Sequence, residues 1–144
     1  MTPQERAEKS AAAMWAEDGA SKFIGISLDS VTPGKAVGHI KIEKHHVNGL
    51  EICHGGTIFH LADTIFAFAC NSYNNRAVAQ QCSINFMAAG MLGDTLTARA
   101  TEVLVKGRNG IYDVMITNQN GDEVALFRGN SRQVRGTNFP EDMT

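Results

Sequence analysis

The sequence predicts an α+β domain in which a curved antiparallel sheet wraps around one long central helix, with a further helix at the N-terminus. Three observations carry that expectation. The stretch from about Thr57 to Tyr73 is a helix-length run that is apolar nearly all round, the pattern of a helix enclosed on most sides. Two segments before it and four after it alternate with a period of two, which marks strands that bury one face. The strands after the helix are joined by short turn signals, so antiparallel pairing is expected.

Taken in order, residues 3–18 read as a helix, with Pro3 suited to the first turn and Ala, Glu and Lys as good helix formers. FIGISLDSV (23–31) alternates and reads as a strand, Thr32-Pro33-Gly34 as a turn, and KAVGHIKI (35–42) as the second arm of a hairpin. EKHHVNGLEI (43–52) has no clear period and reads as a loop. Gly55-Gly56 opens the long helix, which is expected to bury its whole circumference. The segments 77–88, 94–106, 110–119 and 123–134 then read as a four-stranded meander, with Asn120-Gly121 as a hairpin signal. A single domain over 1–136 is expected, followed by a flexible tail over 137–144. An open sheet edge invites pairing between copies.

A chain of 144 residues is long enough to bury a core. Thirteen basic against fifteen acidic residues leave a formal charge of −2, with no electrostatic footprint for nucleic acid or an anionic membrane. The three cysteines, Cys53, Cys70 and Cys82, have no CxxC spacing, which argues against a disulfide framework or a zinc knuckle. The N-terminus lacks the apolar region of a secretory signal and no 18-residue apolar span occurs, so a cytoplasmic location is expected. The five histidines follow no standard zinc spacing, and no metal or other cofactor is expected.

The residue that breaks the apolar run is Asp63. Its helical neighbours at three and four positions are Phe59, His60, Phe66 and Ala67, so desolvation should raise its pKa and poise it as a base or nucleophile. A structural carboxylate that caps a loop or pairs with a buried arginine is the alternative. Gly55 and Gly56 stand at the helix start, where first-turn N–H groups lack intrahelical partners and can form an anion or oxyanion site; a tight turn is the plainer reading. His54 either orients a carbonyl or satisfies the loop. Asn48, before Gly49, either positions a substrate or makes a turn, and Thr64 either offers a hydroxyl beside Asp63 or bonds back to the helix. Gly55 and Asp63 are eight residues apart, roughly 12 Å along a helix. They cannot both reach one carbonyl within a chain. A two-fold dimer with antiparallel helices brings Gly55 of one copy towards Asp63 of the other, so a composite site is expected, two per homodimer.

HVNGLEICHGGTIFHLADTIFAFACNS resembles the signature of hotdog-fold acyl-CoA thioesterases. ADTIFAFACNS and VALFRG are similar to the phenylacetic-acid-degradation (PaaI-type) branch, and the resemblance runs from about residue 10 to 136. It implies a hotdog fold, an acyl-CoA substrate with an aryl or arylacetyl group such as (hydroxy)phenylacetyl, and a homotetramer built from two dimers. Position by position, it implies Asp63 as catalytic carboxylate, Gly55 with Gly56 as the amides that polarise the carbonyl, Asn48 as the positioning amide, His54 as the histidine of the HGG element and Thr64 as the hydroxyl beside the carboxylate. Many family members carry Arg-Pro after the INF segment, where this chain has Ala88-Ala89. Lys106, Arg108, Arg128 and Arg132 stand as candidates for phosphate contacts, with solvated strand-end charges as the alternative. A hotdog dehydratase acting on hydroxyacyl thioesters and a non-catalytic acyl-CoA binding module are the rival functions.

Overall fold

Thr2 and Glu5 set the first helix. The Glu5 N–H donates to Thr2 Oγ1 (3.1 Å) and the Thr2 N–H to Glu5 Oε2 (2.8 Å), a reciprocal cap with Pro3 in the first turn. Residues 1–141 are described by the computed structural model, and 142–144 lie outside the described residues. Helix α1 (Pro3–Glu17) buries Ala7, Ser10 and Ala11 on one face. A second helix, α2 (Gly19–Ile24), was not expected; Phe23 and Ile24 lie in it, and the strand expected over 23–31 begins at Ser27. The local chemistry accounts for this. Asp18 Oδ1 accepts from the Ser21 N–H at 3.0 Å, and Gly25 ends the helix in the left-handed region at φ 100°.

Strands β1 (Ser27–Thr32) and β2 (Lys35–Lys41) form the expected hairpin. The segment 43–52 is a loop with one 3-10 turn, Lys44–His46. Helix α3 (Gly55–Cys70) follows, two residues earlier at its start than expected and three shorter at its end. Strands β3 (Ala77–Phe86), β4 (Thr95–Lys106), β5 (Asn109–Thr117) and β6 (Glu123–Gln133) complete one six-stranded antiparallel sheet in the order β1-β2-β4-β5-β6-β3. The meander is therefore only β4-β5-β6. β3 crosses to the far edge and pairs with β6, so that Cys82 faces Gly129 and Phe86 faces Ala125. Alternation identifies a strand without naming its partner, which is why the sequence pointed to a simple four-strand meander.

The sheet curls around α3 and its inner face meets the helix with little space to spare. A Cβ at Gly129 would stand 2.7 Å from the Phe66 ring, and one at Gly38 would run into Ile65. Glycine at these two positions lets the helix approach the strands closely. Phe66 packs against Phe127 and Tyr112, with ring centroids 5.7 and 5.8 Å away, and Phe59 meets Phe127 edge-on at 5.3 Å. One stripe of α3 is not covered: Gly56 is exposed and His60, Asp63 and Ala67 are only half-buried, while Leu61, Ala62, Ile65 and Phe66 are fully buried. The expectation that the whole circumference is buried fails along that stripe, because the curled sheet closes around only part of the helix.

Of the expected tail over 137–144, residues 138–141 are bonded to the body, and 142–144 lie outside the described residues. The amides of Asn138 and Phe139 donate to Asn74 Oδ1 (2.9 and 3.1 Å), and Asn138 Nδ2 reaches Ser10 Oγ and Asn71 Oδ1 (2.9 and 3.0 Å). Glu141 pairs with Arg6 at 2.7 Å. These buried polar groups of α1 and of the turn after α3 need partners, and the tail supplies them. No helix among the described residues is long and apolar enough to cross a membrane.

Candidate active site

Three pieces of chain converge at the start of α3. His54 occupies the N-cap position without a side-chain cap bond, and its carbonyl accepts from the Thr57 and Ile58 amides (3.0 and 3.3 Å). Among the described residues nothing accepts from the Gly55 or Gly56 amides. They stand at the positive end of a 16-residue helix dipole. Gly56 opens onto free space, and the Phe86 ring at the end of β3 lies 2.9 Å from where a Gly55 Cβ would be. The His54 side chain is exposed and makes no hydrogen bond among the described residues.

The loop before the helix is braced by two side chains. Asn48 Oδ1 accepts from the Leu50 and Ile52 amides (2.9 and 3.1 Å), which holds Glu51 at φ 61°. Asn48 therefore makes the turn with its carbonyl, and its side-chain amide is left to donate elsewhere. Buried His46 accepts at Nδ1 from the Glu43 N–H (2.9 Å) and so donates from Nε2 to the Ile24 carbonyl (2.7 Å). That pair of bonds sets its tautomer and anchors α2 to the loop. Sequence reasoning did not single out His46 as a brace, since its neighbour in space, Ile24, is 22 residues away.

Asp63 sits two turns further along α3, on the uncovered stripe and beside the inner face of β3. It forms no hydrogen bond or ion pair among the described residues. Burial pushes its carboxyl above the ordinary aspartate value, with His60 acting in the opposite direction. Its charge is felt by Cys82 across the gap: burial first, and then Asp63, raise the thiol pKa there. The alternative of a carboxylate paired with a buried arginine is thus not what this chain contains.

Thr64 is turned away from this face. Its buried hydroxyl lies 3.0 Å from Ser21 Oγ on α2, and Ser21 Oγ is also 3.4 Å from His60 Nε2. The basic candidates are not at the site within one chain. Lys106, Arg108 and Arg132 are exposed at the sheet end that meets the C-terminus of α3, and α3 is ~24 Å long. Arg128 is held in a two-pronged pair by Asp113 (2.7 and 2.9 Å) on the outer face of the sheet, so its charge is already matched. Among the described residues no group of three or more His, Cys, Asp or Glu converges as metal ligands do.

A lone carboxylate thus lies about 12 Å along the helix from a pair of free helix-start amides. Comparison with known proteins identifies the family. Residues 50–125 match the model of the Thioesterase superfamily. The chain is 45% identical to the acyl-coenzyme A thioesterase PaaI of Escherichia coli (strain K12) over 133 residues, 92% of this chain and 94% of that protein. The solved structure of the E. coli PaaI protein from the phenylacetic acid degradation operon superposes with a TM-score of 0.92 at 43% identity, over 94% of this chain and 99% of that one. A Streptococcus mutans protein solved with acetyl CoA bound superposes with a TM-score of 0.75 at 30% identity, over 80% of this chain and 92% of that one. By fold and by descent, the chain belongs to the thioesterase superfamily.

Proposed function

We propose that this protein hydrolyses acyl-CoA thioesters, with aryl and arylacetyl acyl groups preferred, releasing the free acid and CoA, in sites each built by two copies of the chain. The observation that carries the reading is the separation of Gly55 from an unpaired, half-buried Asp63 on the one uncovered stripe of α3. Laying two such helices antiparallel along their open stripes closes both gaps at once and covers the surface that each sheet leaves bare. β3 supports the arrangement, because it is an edge strand whose outer hydrogen-bonding groups have no partner strand among the described residues. A tetramer of two such dimers is part of the proposal, as is a cytoplasmic location.

In this site the thioester carbonyl points at the Gly55 amide, with Gly56 beside it. As the carbonyl carbon becomes tetrahedral, negative charge gathers on its oxygen, where the amide and the helix dipole stabilise it. Asp63 of the second copy acts from the opposite side, either taking a proton from a water whose oxygen attacks the carbon, or attacking the carbon itself to form a mixed anhydride that water hydrolyses once the thiolate has left. Its lone pairs are free for either role. Collapse of the intermediate expels the CoA thiolate, a good leaving group that needs little protonation. Asn48 places its free amide near the carbonyl, and His54 lines the same approach.

A free-thiol assay across acetyl, medium-chain, benzoyl and hydroxyphenylacetyl CoA esters tests the reading. Thiol release that is fastest with the aryl esters is the expected outcome. Tight binding of every ester with no release over hours would leave a binding module instead, and hydration of crotonyl-CoA would point to a dehydratase.

A further inference from the structure

Helix α2 is fixed on three sides. Ser21 joins it to Thr64 and His60 of α3, its Ile24 carbonyl takes the His46 Nε2–H, and Asp18 and Gly25 cap its ends. From this pinned helix Phe23 points outwards and is 91% exposed, the most exposed of the large apolar side chains among the described residues. Beside it runs a groove of about 640 Å³ lined by Ala20, Phe23, Ile24, His45 and His60. Among the described residues no carboxylate, lysine or arginine lines it, so it offers nothing to a CoA phosphate and suits an uncharged, flat, apolar group.

The position of the groove decides its occupant. His60 forms its inner wall and lies on the uncovered stripe of α3, one turn before Asp63. Residues three apart on a helix have Cβ atoms about 5–6 Å apart, close to the reach of a benzyl group beyond its carbonyl carbon. An acyl group whose carbonyl stands at Asp63 can therefore extend along the stripe into the groove and meet the Phe23 ring. We propose that this groove holds the aryl end of the acyl group and that Phe23, stacking on it, is the residue of α2 that selects aryl over small acyl substrates. This rests on the hydrolase reading above and adds to it the place where the acyl group binds and the chain that binds it: the copy that supplies Asp63. Anchoring α2 so firmly makes sense on this view, since a stacking ring helps only when its backbone is held in place beforehand.

The test compares kcat/KM for phenylacetyl-CoA and acetyl-CoA in the full-length parent, in Phe23→Ala and in Ala20→Trp, which fills the groove. Loss of one aromatic stacking partner is worth about a two- to twelvefold change in discrimination. Both variants are expected to lower the phenylacetyl-to-acetyl ratio by at least that much, with melting temperatures and elution volumes like those of the parent. Phe23 is exposed, so its truncation leaves no cavity. A ratio unchanged in either variant overturns the inference. So does a Phe23→Ala protein of altered oligomeric state, which would make a second copy of the chain the occupant of the groove. A parent that hydrolyses neither ester overturns the hydrolase reading, and this inference with it.

Discussion

Thr64 Oγ1 lies 3.0 Å from Ser21 Oγ, with both residues buried, so the hydroxyl next to Asp63 in sequence serves to dock α2 on α3. Replacing Thr64 by Val keeps the shape and removes the bond, leaving Ser21 with only the longer contact to His60. Such a loss costs about 1 kcal/mol, or roughly 3 °C in Tm for a domain of this size. Calorimetry of Thr64→Val should show that drop, and thiol release should stay within about threefold of the parent. A catalytic hydroxyl would instead lower kcat with no change in Tm.

Asp63→Asn separates the two consequences of placing a carboxylate on an apolar helix. Activity should fall by about 10²-fold or more, the range for a lost general base. Stability should change the other way at neutral pH. Burial raises the carboxyl pKa, and a group raised on folding adds stability below its ordinary value and loses it as pH rises through the raised one. At pH 7 the charged Asp63 is therefore a liability, and Asp63→Asn should melt above the parent, with the difference closing towards pH 4. Equal melting temperatures across that range would contradict a desolvated Asp63.

The same shift sets the pH profile of turnover. An unprotonated Asp63 is required whether it acts as base or nucleophile, so kcat/KM should fall on the acid side with unit slope. Because burial outweighs the effect of His60, the midpoint should lie above the ordinary aspartate value of 3.8. Initial rates between pH 3.5 and 8 on a saturable aryl ester measure it. A midpoint below that value would mean that a cation from the second copy reverses the effect of burial.

Gly55 offers a way to delete one amide and little else. It is the first residue of α3, where proline is well tolerated, and His54 before it has φ −60° and ψ 137°, the conformation that a following proline favours. The half-exposed Phe86 ring has to swing aside. Gly55→Pro should keep the helix, as read by circular dichroism, while kcat falls by about 10²- to 10³-fold, as for loss of an oxyanion donor.

Mixing the two inactive proteins tests the composite site directly. In a dimer of Gly55→Pro with Asp63→Asn, one site keeps an intact Gly55 from one copy and an intact Asp63 from the other. After unfolding and refolding an equal mixture, recovery of about a quarter of the parental activity is expected for random two-fold pairing. No recovery would place both groups in one chain.

Removing residues 137–144 should destabilise the protein. The truncation strips every partner from the side chain of Asn74, which is 1% exposed and holds both its Oδ1 and its Nδ2 against residues 138–141, while Ser10 and Asn71 each lose one bond and keep others. Leaving buried polar groups unpaired costs about 1–3 kcal/mol each before water enters, so the chemical-denaturation midpoint should fall clearly while the catalytic parameters at 25 °C hold.

Much of the candidate site was legible because its signals are local. Asp63 stands out only against its apolar neighbours, Gly55-Gly56 only because a helix follows, and the spacing of the two is a property of helical rise. α2 was legible in principle too, in Asp18 three residues before Ser21 and in Gly25, but the alternation of FIGISLDSV masked it. Other features depend on which distant surface arrives. Thr64 looked like a partner of Asp63 and is bonded to Ser21, 43 residues earlier. Arg128 read as a phosphate candidate or a solvated strand-end charge, and it is paired with Asp113 across the strand pair.

By itself, then, the sequence determined the element types apart from α2, the apolar central helix and the two chemical groups on it, since each follows from periodicity and from the intrinsic demands of glycine and a carboxylate. Only the tertiary structure decided that β3 lies beyond β6, that one stripe of α3 stays uncovered, that α2 is pinned with Phe23 facing outwards, and that the tail is tied to the body. Those are choices among partners. Many pairings satisfy the same alternation, and the one adopted is selected by close packing of Phe66 on Gly129 and by the need of every buried polar group for a mate.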